Sequence, residues 1–453
     1  MKKLLLISAA TLIVSNSTFA GGILTNTNQH AAFLRMLSRG ATTEIDGALS
    51  NPAGLAFLPK DGFHVGLSIQ SAYQTRNIDA SFMTYNGVSA TGPTVADKPL
   101  EKYYEGTAAT PVIPSLFAAY KKGEWTISGF FAITAGGGKA SFDDGLPMFD
   151  ASAMAGIFQE GLKAEKPTVI TPDMYDITSA MDGKQYIYSL QLGLSYKATE
   201  WLSVFGGGRM NYFTGGYKGF LNAIVKGTDT NLLPLALDCD QTGWGLTPVI
   251  GVDAKLGKLN IGAKYEFKTN LNIENNTKNI EYPRTPEGEA MIAPYKHGVN
   301  TPNDIPAMLS IAAAYEFLPV LRASVEYHFY DDKNAGMANG KQKYLTKGTN
   351  EYLSGIAFEG TKQLTLSCGG QITDYGLSDN YQSDTSFSCD SYSLGVGAKI
   401  KMNKHLNLNV GYMWTNYEDY TKKSTNYNGT GLPGTNVYSR TNKVFGLSAD
   451  YSF

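Results

Sequence analysis

The feature that most constrains this chain is strict alternation of apolar and polar residues, repeated many times. Tyr188, Leu190, Leu192, Leu194 and Tyr196 share one face of an extended segment, with Ser189, Gln191, Gly193 and Ser195 on the other. Leu259, Ile261, Ala263, Tyr265 and Phe267 oppose Asn260, Gly262, Lys264, Glu266 and Lys268 in the same way. The pattern returns at Leu321–Phe329, Tyr392–Ile400 and Leu406–Trp414. Successive side chains of a strand point to opposite faces, so each segment has one greasy side and one polar side. Aromatics sit toward the ends of the greasy side and aliphatics in its middle, as in a lipid-facing band between two interfacial girdles. The other side carries Lys, Glu, Arg, His and Asn. A basic side chain facing lipid at the bilayer midplane would cost up to about 2 to 4 kcal/mol, so those residues must face a lumen. A soluble sandwich also alternates, but its polar face is the outer one and would carry more charge than a chain with 17% charged residues offers.

Fourteen such strands are expected, at 62–76, 112–122, 124–136, 184–198, 201–213, 241–256, 258–274, 305–317, 320–333, 350–360, 362–376, 388–402, 405–420 and 438–453. Short and long connections alternate between them. The short turns fall at Lys122-Gly123-Glu124, Ala198-Thr199-Glu200, Gly257-Lys258, Leu318-Pro319, Gly360-Thr361 and Asn403-Lys404. The predicted fold class is all-β, a closed antiparallel transmembrane barrel, because only closure leaves no strand edge unpaired in hydrocarbon. Gly 49, Tyr 28 and Phe 21 suit that class. A formal charge of −2 offers no basic face, and nucleic acid is not an expected partner.

The first twenty residues read as a signal peptide: Lys2 and Lys3, then an apolar stretch from Leu4 to Val14, then the small-x-small site Thr18-Phe19-Ala20. That stretch is too short to cross a bilayer as a helix. Residues 21–61 lack alternation and contain a helical candidate, Asn28 to Arg39, closed by Gly40. Phe33, Leu34, Met36, Leu37, Leu49, Leu55, Phe57 and Leu58 make this stretch too apolar for a floppy tail, and a barrel of fourteen strands has room for it as a plug. Residues 62–453 form the barrel and end on a period-two strand with Phe453 last. A terminal aromatic there resembles the assembly signal of bacterial outer-membrane barrels, which makes outer-membrane lipid and the barrel assembly machinery the expected surroundings and partner. A monomer is expected.

Asn51-Pro52-Ala53, followed by Gly54-Leu55-Ala56, stands just before the first strand. With the Gly21-Gly22 start, the plug-length segment, the fourteen-strand rhythm and Phe453, it makes the mature chain resemble the FadL family of outer-membrane long-chain fatty-acid and hydrocarbon transporters. The resemblance implies a plugged fourteen-stranded barrel in the bacterial outer membrane. It also implies passive uptake of hydrophobic small molecules: capture on outer loops, a pocket in the lumen, and lateral exit where the third strand kinks. The matching position for that kink is Gly136-Gly137-Gly138. The family's outer groove points to Phe213, Tyr217, Phe220, Leu221, Ile224 and Val225 at and within the third long loop, and to Met291, Ile292 and Tyr295 in the fourth.

A carboxylate head group needs a cation, and arginine offers bidentate geometry. Arg209 and Arg322 are the candidates taken forward from a set that includes Arg35, Arg39, Lys264 and Lys399; the competing role for each is an ion pair with Glu266, Glu326 or another lumen carboxylate. The second long loop, 137–183, carries an amphipathic helix near Ala151 to Ala164, a departure from the family pattern that leaves substrate choice open. Cys239 and Cys389 could bridge near the outer rim, while alternation turns Cys368 to lipid. No metal spacing, nucleophile elbow or phosphate loop is present among the motifs, so neither an enzyme nor a cofactor or metal is expected. The alternative function is a diffusion porin for polar solutes.

Overall fold

The computed structural model describes residues 24–89, 92–162, 168–169 and 174–453. The expected signal peptide and the Gly21-Gly22 start lie outside the described residues. Fourteen barrel strands are seen among the described residues: β1 Gly62–Phe82, β2 Leu100–Lys122, β3 Trp125–Phe142, β4 Tyr175–Lys197, β5 Leu202–Val225, β6 Leu235–Leu256, β7 Leu259–Glu266, β8 Met308–Leu318, β9 Leu321–Tyr330, β10 Thr349–Glu359, β11 Leu364–Asp374, β12 Ser391–Lys401, β13 Leu406–Tyr417 and β14 Gly434–Ser452. Each pairs antiparallel with its neighbour in sequence. The ring closes where β1 pairs with β14 from His64↔Ser452 to Phe82↔Gly434.

The barrel wears its apolar side outward. Leu192 is 60% exposed, Val325 61% and Leu447 52%, whereas Ser189 and Gln191, on the inner face of the same strand as Leu192, are at most 1% exposed. That inverts a soluble protein, where burying each such aliphatic would be worth about 1.5 to 3 kcal/mol; here the bilayer does the burying.

Strands β1 to β6 run well past the ends expected from alternation. Above the girdle formed by Tyr186, Tyr188, Tyr212 and Trp244 their outer face turns polar: Lys184 and Lys278 pair with Asp240, and Lys218 with Asp238. The hydrogen-bond ladder continues although the hydrophobic alternation has stopped. The seventh strand, expected unbroken over 258–274, instead ends at Glu266, and the ladder with β6 resumes in Asn272–Glu281.

The segment before β1 lies inside the ring. It holds α1 Ala31–Arg35, α2 Gly47–Ser50 and a 3-10 turn, Pro52–Phe57. The helix expected over 28–39 shrinks to five residues, capped by the His30 imidazole at its start, and Gly40 does not cap it. The chain after α1 is extended because the wall captures its backbone: Glu326 accepts from the amides of Arg39 and Gly40 at 2.7 and 2.8 Å. The loop helix, α3, spans Pro147–Leu162, starting four residues before the expected Ala151, while the expected end at Ala164 lies outside the described residues; it buries Ala151, Ala153, Ile157 and Phe158 across the outer mouth.

Cys239 and Cys389 are free thiols, which overturns the expected bridge. They occupy different neighbourhoods: the Cys239 thiol accepts from Thr277, and that of Cys389 lies against the Tyr438 carbonyl. Cys368 is exposed on the outer face.

Candidate functional site

The inner segment is seated by close approach on one side of the ring and by polar ties on the other. A methyl group added at Gly395 would meet the Leu34 carbonyl at 2.5 Å, and one at Gly411 the Arg35 amide at 2.8 Å. Gly397 faces Gly411, which faces Gly446, in register, so α1 rests on a bare patch of wall. Opposite, Asn51-Pro52-Ala53 docks on β4 to β6. The Asn51 amide donates to the Val252 carbonyl at 3.0 Å, Ser195 donates to the Pro52 carbonyl at 2.8 Å, and Ser203 to that of Ala53 at 2.7 Å. Arg39 binds Asp46 and Glu44 within the segment, and Glu44 takes Lys399 from β12.

Arg209 and Arg322 are spent on such contacts. Arg209 pairs with Glu266, which also holds Lys264 at 2.7 Å. Arg322 donates to the Ala41 carbonyl at 2.6 Å. Neither lines the large lumen cavity described next.

That cavity, of about 140 Å³, lies above the inner segment between Thr25–Gln29 and loop residues Ser386 and Phe387. Its apolar lining includes Ala72, Ala108, Ile113, Ile133, Met413 and Val444, and its charged lining consists of Arg76 and Arg440. These two face each other across β1 and β14. Arg76 lies 4.6 Å over the Phe387 ring and Arg440 4.7 Å over that of Tyr417. Sequence reading missed them, although a closed ring must pair its first and last strands.

One wall of this cavity is broken. The β2–β3 ladder runs through Ala109↔Lys139 and resumes only at Ser115↔Ala132. Pro111 and Pro114 remove two donors from the gap on the β2 side. The same height carries register shifts on β3–β4, between Ile133 and Gly138, and on β1–β2, between Gln70 and Ala72. Gly136 and Gly138, with Gly137 between them, make this bend. Gly136 has φ +108° and Gly138 φ +82°, and a side chain at Gly136 would meet the Gln185 carbonyl at 2.0 Å. Irregular backbone at membrane depth survives only where it lines a cavity or is covered by protein, and both Gly136 and Gly138 line this one.

A second cavity, of about 60 Å³ and mostly apolar, lies nearer the outside. Phe220, Leu221, Ile292 and Tyr295 meet there with Met148 and Phe149 of α3. The first two belong to β5, not to a loop as expected; Ile224 sits at the end of the same strand and does not reach the lining. Met291 lies in the loop helix Pro286–Ile292. The contribution of α3 was not legible, since its residues show no relation in sequence to the other lining elements.

The loop between β11 and β12 separates the two cavities and is held by charged groups outside the membrane-spanning strands. Lys341 donates to the Ser386 carbonyl at 2.9 Å; burial first, then Lys422 and Arg76 nearby, pull its amine down to about 7. Asp384 accepts from the Met148 amide, Asn436 and Tyr438, while burial pushes its carboxyl above the usual range.

The sequence model for the outer membrane protein beta-barrel domain matches residues 287–453. No curated protein matches the chain in sequence. Among solved structures, a Pseudomonas aeruginosa FadL homologue superposes with TM-score 0.63 at 14% identity, covering 95% of this chain and 100% of its own. The Pseudomonas putida toluene transporter TodX superposes with TM-score 0.53 at 13% identity, covering 95% and 100%. With its outward apolar belt, the protein is thus an outer-membrane β-barrel. More narrowly, its fold is the FadL type, a fourteen-stranded ring around an N-terminal plug.

Proposed function

We propose that this protein takes up hydrophobic compounds passively across the outer membrane, long-chain fatty acids among them. A solute is captured in the outer apolar cavity at Phe220, Leu221 and Ile292, passes to the lumen cavity, and leaves sideways through the wall. The observation that carries the reading is the aligned set of register breaks across β1 to β4 around Gly136 and Gly138, in the wall of the lumen cavity. A greasy solute needs no aqueous path to the periplasm if it can step from that cavity into the bilayer. The shared fold of the toluene transporter supports the same class of solute.

For a solute with an acidic head, Arg76 and Arg440 suit the role first sought in Arg209 and Arg322, because they line the cavity and sit side by side. In this reading residues 1–20 are removed on export, 21–61 plug the barrel formed by 62–453, Phe453 addresses the chain to the assembly machinery, and the barrel works as a monomer without cofactor, metal or catalysis. The test is uptake of a labelled long-chain fatty acid and of toluene by cells whose other routes are deleted. Changing Gly136, Gly137 and Gly138 together to Val should bring both down to background at normal surface levels; unchanged uptake would remove the lateral route. Free ion conductance by the purified, plugged barrel would favour the porin instead.

A further inference from the structure

The two cavities do not merge. Consecutive residues of one loop stand between them: Thr385 lines the outer cavity, and Ser386 and Phe387 line the lumen cavity. This loop, between β11 and β12, is folded into the mouth of the barrel; Tyr381, Gln382, Asp384, Ser386, Phe387, Ser388 and Cys389 are all buried.

The manner of its holding sets it apart from the barrel. A tight turn closes through the Ser383↔Ser386 bridge, with the Ser386 amide donating to the Ser383 carbonyl at 3.0 Å. Besides that bridge, the ties run through side chains: Asp384 accepts from the Met148 amide, Asn436 and Tyr438, and three cations hold backbone carbonyls. Lys341 donates to the Ser386 carbonyl, Lys422 to the Gln382 carbonyl at 2.7 Å, and Arg76 to the Phe387 carbonyl at 3.1 Å. Gln382 braces the turn with two bonds to the Ser388 backbone. The Phe387 ring fills the centre, stacked on Tyr438 at 4.6 Å with the Arg76 guanidinium on it. Elements held by a few side-chain contacts open at far lower free energy than laddered strands.

We infer that the Ser383–Phe387 turn is an inner gate, with Phe387 as its leaf, through which a captured solute passes from the outer cavity to the lumen. The inference rests on the uptake reading above. A flat apolar ring on a stacked partner can swing without breaking a backbone ladder, and a hydrophobic solute can replace Tyr438 or the guanidinium as its neighbour. Lys341 acts as a positioning residue, tethering the turn without lining either cavity.

Binding of a fluorescent long-chain fatty acid to the purified barrel, and its uptake rate by intact cells, test this together. Phe387→Ala should raise the uptake rate several-fold while leaving affinity at the outer cavity as in the parent, and Lys341→Met, which loosens the turn without touching the leaf, should do the same. Phe387→Trp should slow uptake. Parental rates in both Phe387→Ala and Lys341→Met, at parental surface levels, would overturn the gate. Absence of uptake by the parent protein itself would overturn the transport reading instead, so the two failures are distinguishable.

Discussion

The two sides of this barrel are built to different lengths. Strands β8 to β13 are 10 to 12 residues each, close to the roughly 9 to 11 residues that a tilted strand needs to cross a bilayer. Strands β1 to β6 and β14 are 18 to 24 residues and rise well above the membrane. From β9 to β14 the register runs without a shift, and glycines there make a smooth seat for α1. Across β1 to β4 the register breaks at one height. The short side seats α1; the long side holds the outer cavity, the gap and most of the lumen cavity's lining, and binds Asn51-Pro52-Ala53 by polar ties.

That division can be attacked from either side. The largest effect should come from Arg39→Ala, which strips Asp46 of its buried partner; losing one member of a buried pair costs about 3 to 5 kcal/mol, enough to unseat the plug. Ion conductance through the purified barrel should rise, and a silent channel would argue that the plug is held by other means. Gly411→Val comes next. It pushes a side chain into the plug backbone from the short side, at about 1 to 3 kcal/mol for overpacking. It should loosen the plug while leaving the wall gap intact, as read by protease cleavage within residues 24–61.

On the long side, Arg440→Gln, which spares the Arg76 tie to the Phe387 carbonyl, should weaken fatty-acid binding by about 1.5 to 3 kcal/mol if the pair holds the head group, and leave toluene uptake alone. Equal loss for both solutes would mean that the pair only shapes the cavity.

The smallest effect concerns pH. The Lys341 amine sits at about 7 when folded against an ordinary value of 10.5. The unfolded loop therefore binds more protons between those values, and the seated turn gains stability as pH rises from about 7 toward 10.5. Below about 7 the charged amine opposes the seat in full, beside Lys422 and Arg76. Amide exchange in residues 375–390, corrected for the intrinsic rate, should be slower at alkaline pH; the reverse order would contradict the assignment.

What the sequence made legible was whatever the bilayer enforces. Alternation at Tyr188–Tyr196 or Leu406–Trp414 is a direct imprint of lipid on one side and lumen on the other, so those strands and their inward faces could be read. The apolar content of Phe33, Leu34 and Leu37 likewise demanded a buried home. Above the membrane the imprint ends: Lys184, Lys218 and Asp240 carry no period, and Phe220 and Leu221 read as loop residues although their ladder is unbroken. Gly136-Gly137-Gly138 falls where the β3–β4 register shifts, but Gly206-Gly207-Gly208 sits in an unbroken ladder, so three glycines alone do not mark a break. The site itself depends on contacts between distant segments, such as α3 against β5, or Arg76 against Arg440, which only ring closure brings together.

The most direct test of lateral passage is photo-crosslinking in cells with a long-chain fatty acid carrying a diazirine at its tail. Adducts on Ile113, Ile133 and the residues around Gly136 are the predicted result, showing solute in the wall between β2 and β3. Adducts confined to the periplasmic end, around Arg35, Arg322 and Lys399, would mean that the solute passes through the plug, and would contradict it.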